Sequence, residues 1–237
     1  MELTAEHFTA RLHALATPEE LEKIQRYFKT GEGDYAAGDV FLGIRMGEVF
    51  ALAKEFIELP PSEIEKLLDD PVHEVRAGAL SVMDKQARRK STSAVRRKEL
   101  FDLYLRRLDR IDNWDLVDVA APHVIGGYLL DKPRDLLDEL ARSENVWARR
   151  TAVYAVLELV RRGQLDDLYR IAETLLGDEH DLIHKAVGGV LREAGKKDRP
   201  RLLAFLDRQA AAMPRTMLRY AIEHLEPEQR AHYRGLR

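Results

Sequence analysis

Apolar residues recur at steps of three and four along almost the whole chain. Leu100, Leu103, Tyr104 and Leu108 form one such stripe, and Val153, Val156, Leu157 and Val160 another. A stripe of this period buries one face of an amphipathic helix. No stretch alternates apolar and polar residues with β-branched enrichment, and no Asn-Gly or Asp-Gly hairpin turn occurs. The pattern predicts helices near 4–16, 18–30, 45–58, 62–69, 72–88, 93–109, 114–126, 133–142, 146–161, 164–176, 180–195, 199–211, 214–224 and 227–234. Residues 31–44, rich in glycine, form the longest expected loop.

Helix starts carry their own chemistry. Thr17-Pro18-Glu19-Glu20 places a capping hydroxyl before a proline whose missing N–H costs little at that position. Ser62-Glu63-Ile64-Glu65 reads as a second capping box, and Asp70-Pro71 and Asp198 mark two further starts. All nine prolines are expected near helix starts.

Three segments resemble one another: Glu74-Val75-Arg76-Ala77, Trp147-Ala148-Arg149-Arg150 and Leu182-Ile183-His184-Lys185. Aligning Arg76, Arg150 and Lys185 gives intervals of 74 and 35 residues, the first being two periods of 37. Helix pairs at this period predict an all-α, HEAT-like α-solenoid of antiparallel pairs, one domain over residues 1–237. A basic residue repeated at one helical position would line a concave basic face.

Composition narrows the chemistry. The 237 residues include no cysteine, which excludes disulfides, thiolate metal sites and a cysteine nucleophile. No apolar run reaches the length of roughly 18–20 residues that spans a bilayer. The start of the chain lacks the apolar core of a signal peptide, so a cytoplasmic location is expected. The net charge of −3 conceals a split. Residues 1–83 hold 16 acidic and 8 basic residues; residues 84–110 hold 4 and 10; residues 185–219 hold 3 and 9. Two basic regions on an acidic chain point to a localised anionic partner, or else to solvated helix faces with acidic neighbours.

One segment combines an aromatic with a carboxylate. In Asn113-Trp114-Asp115-Leu116-Val117-Asp118, Trp114 and Asp118 lie four apart and share a helix face. The pair is either an exposed aromatic–carboxylate surface or a core tryptophan beside an ordinary helical aspartate.

The segments Val40-Phe41-Leu42-Gly43-Ile44-Arg45, Asn113 to Asp118, Asn145-Val146-Trp147-Ala148-Arg149-Arg150-Thr151-Ala152, and His184-Lys185-Ala186-Val187-Gly188 through Glu193 together resemble the AlkD-type alkylpurine DNA glycosylases. The match keeps its order over nearly the whole chain. The resemblance implies a HEAT-like repeat enzyme that excises N3- and N7-alkylated purines from duplex DNA, monofunctionally and without metal or cofactor. It implies that Trp114 is the lesion-side aromatic, Asp118 the catalytic carboxylate, Arg150 the active-site arginine and Tyr27 a further cleft aromatic. Family members commonly carry a second tryptophan where this chain has Gly189. The alternative is therefore a non-catalytic HEAT-like binder of damaged or branched DNA.

These residue types suit that chemistry. Alkylation makes the purine cationic, so it leaves neutral and needs no general acid, unlike glycoside hydrolysis by paired carboxylates. One aspartate then stabilises the developing oxocarbenium and orients water. A tryptophan face attracts a cationic nucleotide by roughly 0.5–2 kcal/mol. An arginine holds a backbone phosphate. Most glycosylases flip the base into a pocket; the resembled family engages the duplex from its backbone side. Further candidates for DNA contact are Arg45, Arg88, Arg89, Lys90, Arg97, Arg149, Lys185, Arg192 and Lys196. The expected partner is duplex DNA with alkylated purines, bound by a monomer, with no membrane association. His180 and His184, at i and i+4, lack an obvious third metal ligand and are expected to be structural or surface residues.

Overall fold

A computed structural model of the chain describes residues 2–28, 31, 36 and 38–236. Among these the fold is all-α, with an isolated β-bridge between Val40 and Val72. No described helix is long and apolar enough to cross a membrane. The predicted ends at residues 29–30 and the loop positions 32–35 and 37 lie outside the described residues.

The chain divides into two compact units, residues 1–124 and 125–237. The first holds α1 (Ala5–His13), α2 (Pro18–Phe28), α3 (Met46–Glu55), α4 (Pro61–Leu68), α5 (His73–Arg88), α6 (Ala94–Arg106) and α7 (Trp114–Ala120). Its centre is α5, which packs against α3, α4, α6 and α7. The second holds α8 (Asp135–Ala141), α9 (Val146–Arg161), α10 (Asp166–Thr174), α11 (Asp181–Gly195), α12 (Arg199–Gln209), α13 (Arg215–Ala221) and α14 (Pro227–Gly235). There α9, α11 and α13 pack in succession, with α8 and α10 against α9 and α12 against α11.

The apolar stripes account for this packing. Leu100, Leu103 and Tyr104 of α6 are fully buried, as are Val153, Val156 and Val160 of α9. Each predicted helix is present. The helix predicted over 93–109 ends at Arg106, so Leu108 falls in a short 3₁₀ turn, Leu108–Arg110; a second such turn, Tyr128–Asp131, fills a predicted connection.

Side-chain caps set several boundaries. Thr17 Oγ1 accepts the Glu20 N–H, Ser93 caps α6, Asn113 caps α7, Asn145 caps α9 and Asp198 caps α12. Ser62 does not cap α4: the helix begins one residue earlier, at Pro61, behind Pro60. Glu63 instead accepts the Ala5 N–H at 2.8 Å and ties α4 to α1. Pro122 also departs from expectation. It lies inside the 114–126 segment rather than near a helix start, and from Ala121 to Gly126 the coil is π-helical. Proline has no N–H for the i→i−4 ladder, and a wider turn is one accommodation.

The internal repeat has a different register from the one aligned on Arg150 and Lys185. Arg76 is the fourth residue of α5, and its Nη1 donates to the carbonyls of Asp70 and Pro71, six and five residues back. Arg149 is the fourth residue of α9, and its Nη1 donates to Ser143 and Glu144, again six and five back. His184 is the fourth residue of α11 and bonds the carbonyl of Asp178, six back. The equivalent residues are thus Arg76, Arg149 and His184. They staple the loop before each helix and do not form a surface row.

Each arginine also reaches forward to an aspartate. Arg76 Nη2 lies 3.0 Å from Asp112 in the loop before α7, and Arg149 Nε lies 2.6 Å from Asp178 in the loop before α11. An arginine–aspartate ladder links successive pairs in both units.

Candidate functional site

Three residues in the first turn of α5 organise the first unit. The Glu74 carboxylate is fully buried and accepts the N–H groups of Leu42, Gly43 and Ile44 at 2.9–3.3 Å. Arg76, 3% exposed, bonds Asp39 at 3.2 Å as well as Asp112. Asn113 donates to Asp39 at 2.8 Å and accepts the Trp114 N–H at 2.8 Å. His73 Nε2 bonds Asp115 at 2.8 Å, and its Nδ1 lies 3.7 Å from Asp39. One helical turn thereby fastens two distant segments, 39–44 and 112–115.

The electrostatics are those of a buried charged cluster. Burial alone would push the His73 imidazole down. Asp115 and Asp39 outweigh it and raise the group to about 9. Burial opposes ionisation of Asp39, but hydrogen bonds from His73 and Asn113, with Arg76 nearby, hold it below the usual range. Asp112 is raised, mainly by burial, against the pull of Arg76.

An aromatic layer rests on this cluster. The His73 ring lies 5.0 Å from Phe28 and 4.8 Å from Phe41. Phe28 stacks on Trp114 at 5.6 Å and 19°, and Tyr27 meets Trp114 edge-on at 5.9 Å. Such pairs contribute about 0.5–1.5 kcal/mol beyond area burial. Above them is a cleft of about 510 Å³, walled by Ile24, Tyr27, Phe28, Phe41, Ile44 and Trp114. Trp114 is half-buried: Phe28 stacks on its ring, and it also lines the cleft. Tyr27, 64% exposed, is among the cleft residues.

Asp118 lies on α7 one turn beyond Trp114 and is half-buried; it is not among the residues lining the cleft. Arg150, in the second unit, is 4% exposed. Its Nη1 donates to the Leu182 carbonyl at 2.7 Å, its Nη2 to the Tyr154 hydroxyl at 3.2 Å, and its guanidinium lies 4.8 Å over the Tyr154 ring. These contacts fix the guanidinium plane.

Most of the other expected DNA contacts have carboxylate partners. Arg45 is also a cleft residue and pairs with Glu20 at 2.8 Å; with Lys23 it holds Glu20 down to about 2. Arg88 pairs with Asp84, Arg89 with Glu58, Lys185 with Asp181, Arg192 with Glu223 and Lys196 with Glu193. Arg149 is committed to the ladder. Arg97 donates to the Arg89 carbonyl and braces the turn after α5, whereas Lys90 is exposed. His180 caps α11 and His184 staples its loop, both structural roles.

Residue types alone did not single out Phe28, Phe41, His73, Glu74 or Asp112 as part of this site. The available signal was the cluster His73-Glu74-Val75-Arg76 at a helix start, one residue after Asp70-Pro71.

A family model described as DNA alkylation repair enzyme matches residues 8–225. A solved structure described as a predicted DNA alkylation repair enzyme from Enterococcus faecalis superposes with a TM-score of 0.69 at 20% identity. The match covers 90% of this chain and 97% of that one, and it shows the shared fold. The curated proteins contain no match.

Proposed function

The chain belongs to the DNA alkylation repair enzyme family, and from that membership we propose that it is a monofunctional DNA glycosylase. It hydrolyses the N-glycosidic bond of N3- and N7-alkylated purines in duplex DNA. The observation that carries this reading is the start of α7. There Trp114 is anchored on Phe28 and half-open to the cleft, with Asp118 one turn further along the same helix. The polar cluster beneath fixes the backbone of this segment, which is what preorganised charge stabilisation requires.

In this mechanism the cationic purine departs as a neutral base. Asp118 stabilises the oxocarbenium and orients the water that adds to the sugar. The faces of Trp114 and Tyr27 attract the cationic nucleotide. Arg150, its plane fixed by Leu182 and Tyr154, holds a backbone phosphate. The enzyme works without cofactor or metal, as a monomer in the cytoplasm.

The test is release of base from a duplex carrying one N7-methylguanine. Asp118→Asn is expected to lower the rate about 100-fold or more, with duplex affinity nearly unchanged. A variant that keeps wild-type release removes Asp118 from the mechanism. Gly189 favours a second reading, a non-catalytic binder of damaged or branched DNA. A Cβ at Gly189 meets nothing within 4 Å, so the missing aromatic can be built as Gly189→Trp. Salt-sensitive binding without release, by either protein, supports the binder.

A further inference from the structure

The cations of this protein fall into two groups. Those in the stretches singled out by charge are mostly neutralised within the fold, by Asp84, Glu58, Asp181, Glu223 and Glu193. Near the end of the second unit, three arginines, two of them within the basic stretch 185–219, have no such partner among the described residues. Arg215, Arg219 and Arg234 line a hollow of about 250 Å³ together with Thr216 and Leu218. All three are exposed, and none makes an ion pair among the described residues.

The hollow is held in shape. Arg215 Nη2 donates to the Arg234 carbonyl at 2.8 Å, fastening the first turn of α13 to the last turn of α14. The Arg219 guanidinium lies 5.2 Å over the Tyr220 ring. The carboxylate reached through Thr216, Asp181, already pairs with Lys185 at 2.6 Å.

The position of Arg219 in the repeat is the second observation. Arg150, Lys185 and Arg219 are each the fifth residue of α9, α11 and α13, at intervals of 35 and 34 residues. These helices pack in succession, so the three positions follow one row across the second unit. In α9 and α11 the fourth positions turn to the stapled loops, whereas in α13 that position is the buried Leu218; the fifth positions keep a basic residue in all three.

We infer that the hollow of Arg215, Arg219 and Arg234 is a phosphate subsite that takes a phosphodiester of the DNA backbone. It extends the row of Arg150 and Lys185 to the end of the second unit. This rests on the reading of the protein as a DNA-acting enzyme. Guanidinium forks match phosphate oxygens in geometry and charge. Cations without carboxylate partners also exchange only water and counterions for the phosphate.

The experiment measures affinity for an unmodified duplex over a salt series. The proteins are the wild type, Arg219→Ala, Arg219→Ala/Arg234→Ala, and Arg11→Ala, which removes one charge at an existing ion pair with Glu55. The slope of log affinity against log salt should fall by about 0.9 for each phosphate that is no longer neutralised. The double variant is expected to show this fall and weaker binding, while Arg11→Ala does not. Equal slopes for the double variant and Arg11→Ala overturn the subsite. Titration with inorganic phosphate separates the sources: Arg219-dependent binding of free phosphate with an unchanged duplex slope also overturns it. Base release is scored separately. A changed slope without release leaves the subsite standing and removes the glycosylase reading; release with an unchanged slope does the reverse.

Discussion

The first turns of α5 and α9 begin alike and end in different uses. In both, the fourth residue is an arginine that takes two carbonyls from the preceding loop and an aspartate from the next one. In α5 the residue after it is Ala77, fully buried, and the turn also carries His73 and Glu74, which bind the segments around the aromatic cleft. In α9 the residue after it is Arg150, and no buried histidine or glutamate accompanies it. The shared part is scaffold, and the part that differs is where each turn meets a candidate site. A repeat can therefore keep one position for its own stability and vary the next for chemistry.

The comparison makes its largest prediction at the shared arginine. Arg76→Ala leaves Asp39 and Asp112 facing a buried gap and is expected to destabilise the first unit by about 3–5 kcal/mol. Arg149 is itself partly exposed, unlike Arg76, although its partner Asp178 is buried, and Arg149→Ala is expected to cost about 1–3 kcal/mol. Urea unfolding of the two variants checks the order, and equal losses would break the distinction between the two turns.

His73 sharpens it through pH. Its folded value of about 9 exceeds the ordinary value of 6.5. The stability it contributes is therefore complete below about pH 6.5 and is lost as pH rises through about 9, on the order of 3 kcal/mol in all. The groups facing it are Asp115 and Asp39, with Phe28 and Phe41 against its ring. The stability difference between wild type and His73→Gln, measured at about pH 6 and again near pH 10, should shrink at the higher pH. A constant difference would mean that His73 is not an imidazolium in the fold.

The smallest effects are expected at two adjacent glycines of α11. A Cβ at Gly188 falls 2.4 Å from the Met217 carbonyl oxygen, so Gly188→Ala forces α11 and α13 apart and costs about 1–3 kcal/mol. A Cβ at Gly189 meets open space, and Gly189→Ala should stabilise the helix by about 0.5–1 kcal/mol. Thermal unfolding of the pair reads opposite signs, and the same sign for both would contradict the close approach of α13.

The sequence by itself determined the helices, because a period of three and four with hydroxyl, amide or carboxylate caps needs no partner to be recognised. It also placed Trp114 and Asp118 one turn apart on one helix, since its period puts residues four apart on neighbouring turns. Tertiary structure decided which of two adjacent basic residues is scaffold. Neighbours on a helix point about 100° apart, so a shift of one position exchanges Arg149 for Arg150 and the stapled loop for the row of fifth positions. It likewise decided that Glu63 ties α4 to α1 and that residues 39, 73, 76, 112 and 115 form one charged cluster. Those residues come from three segments tens of positions apart, and only helix packing supplies the few-ångström distances at which a buried charge finds its partner.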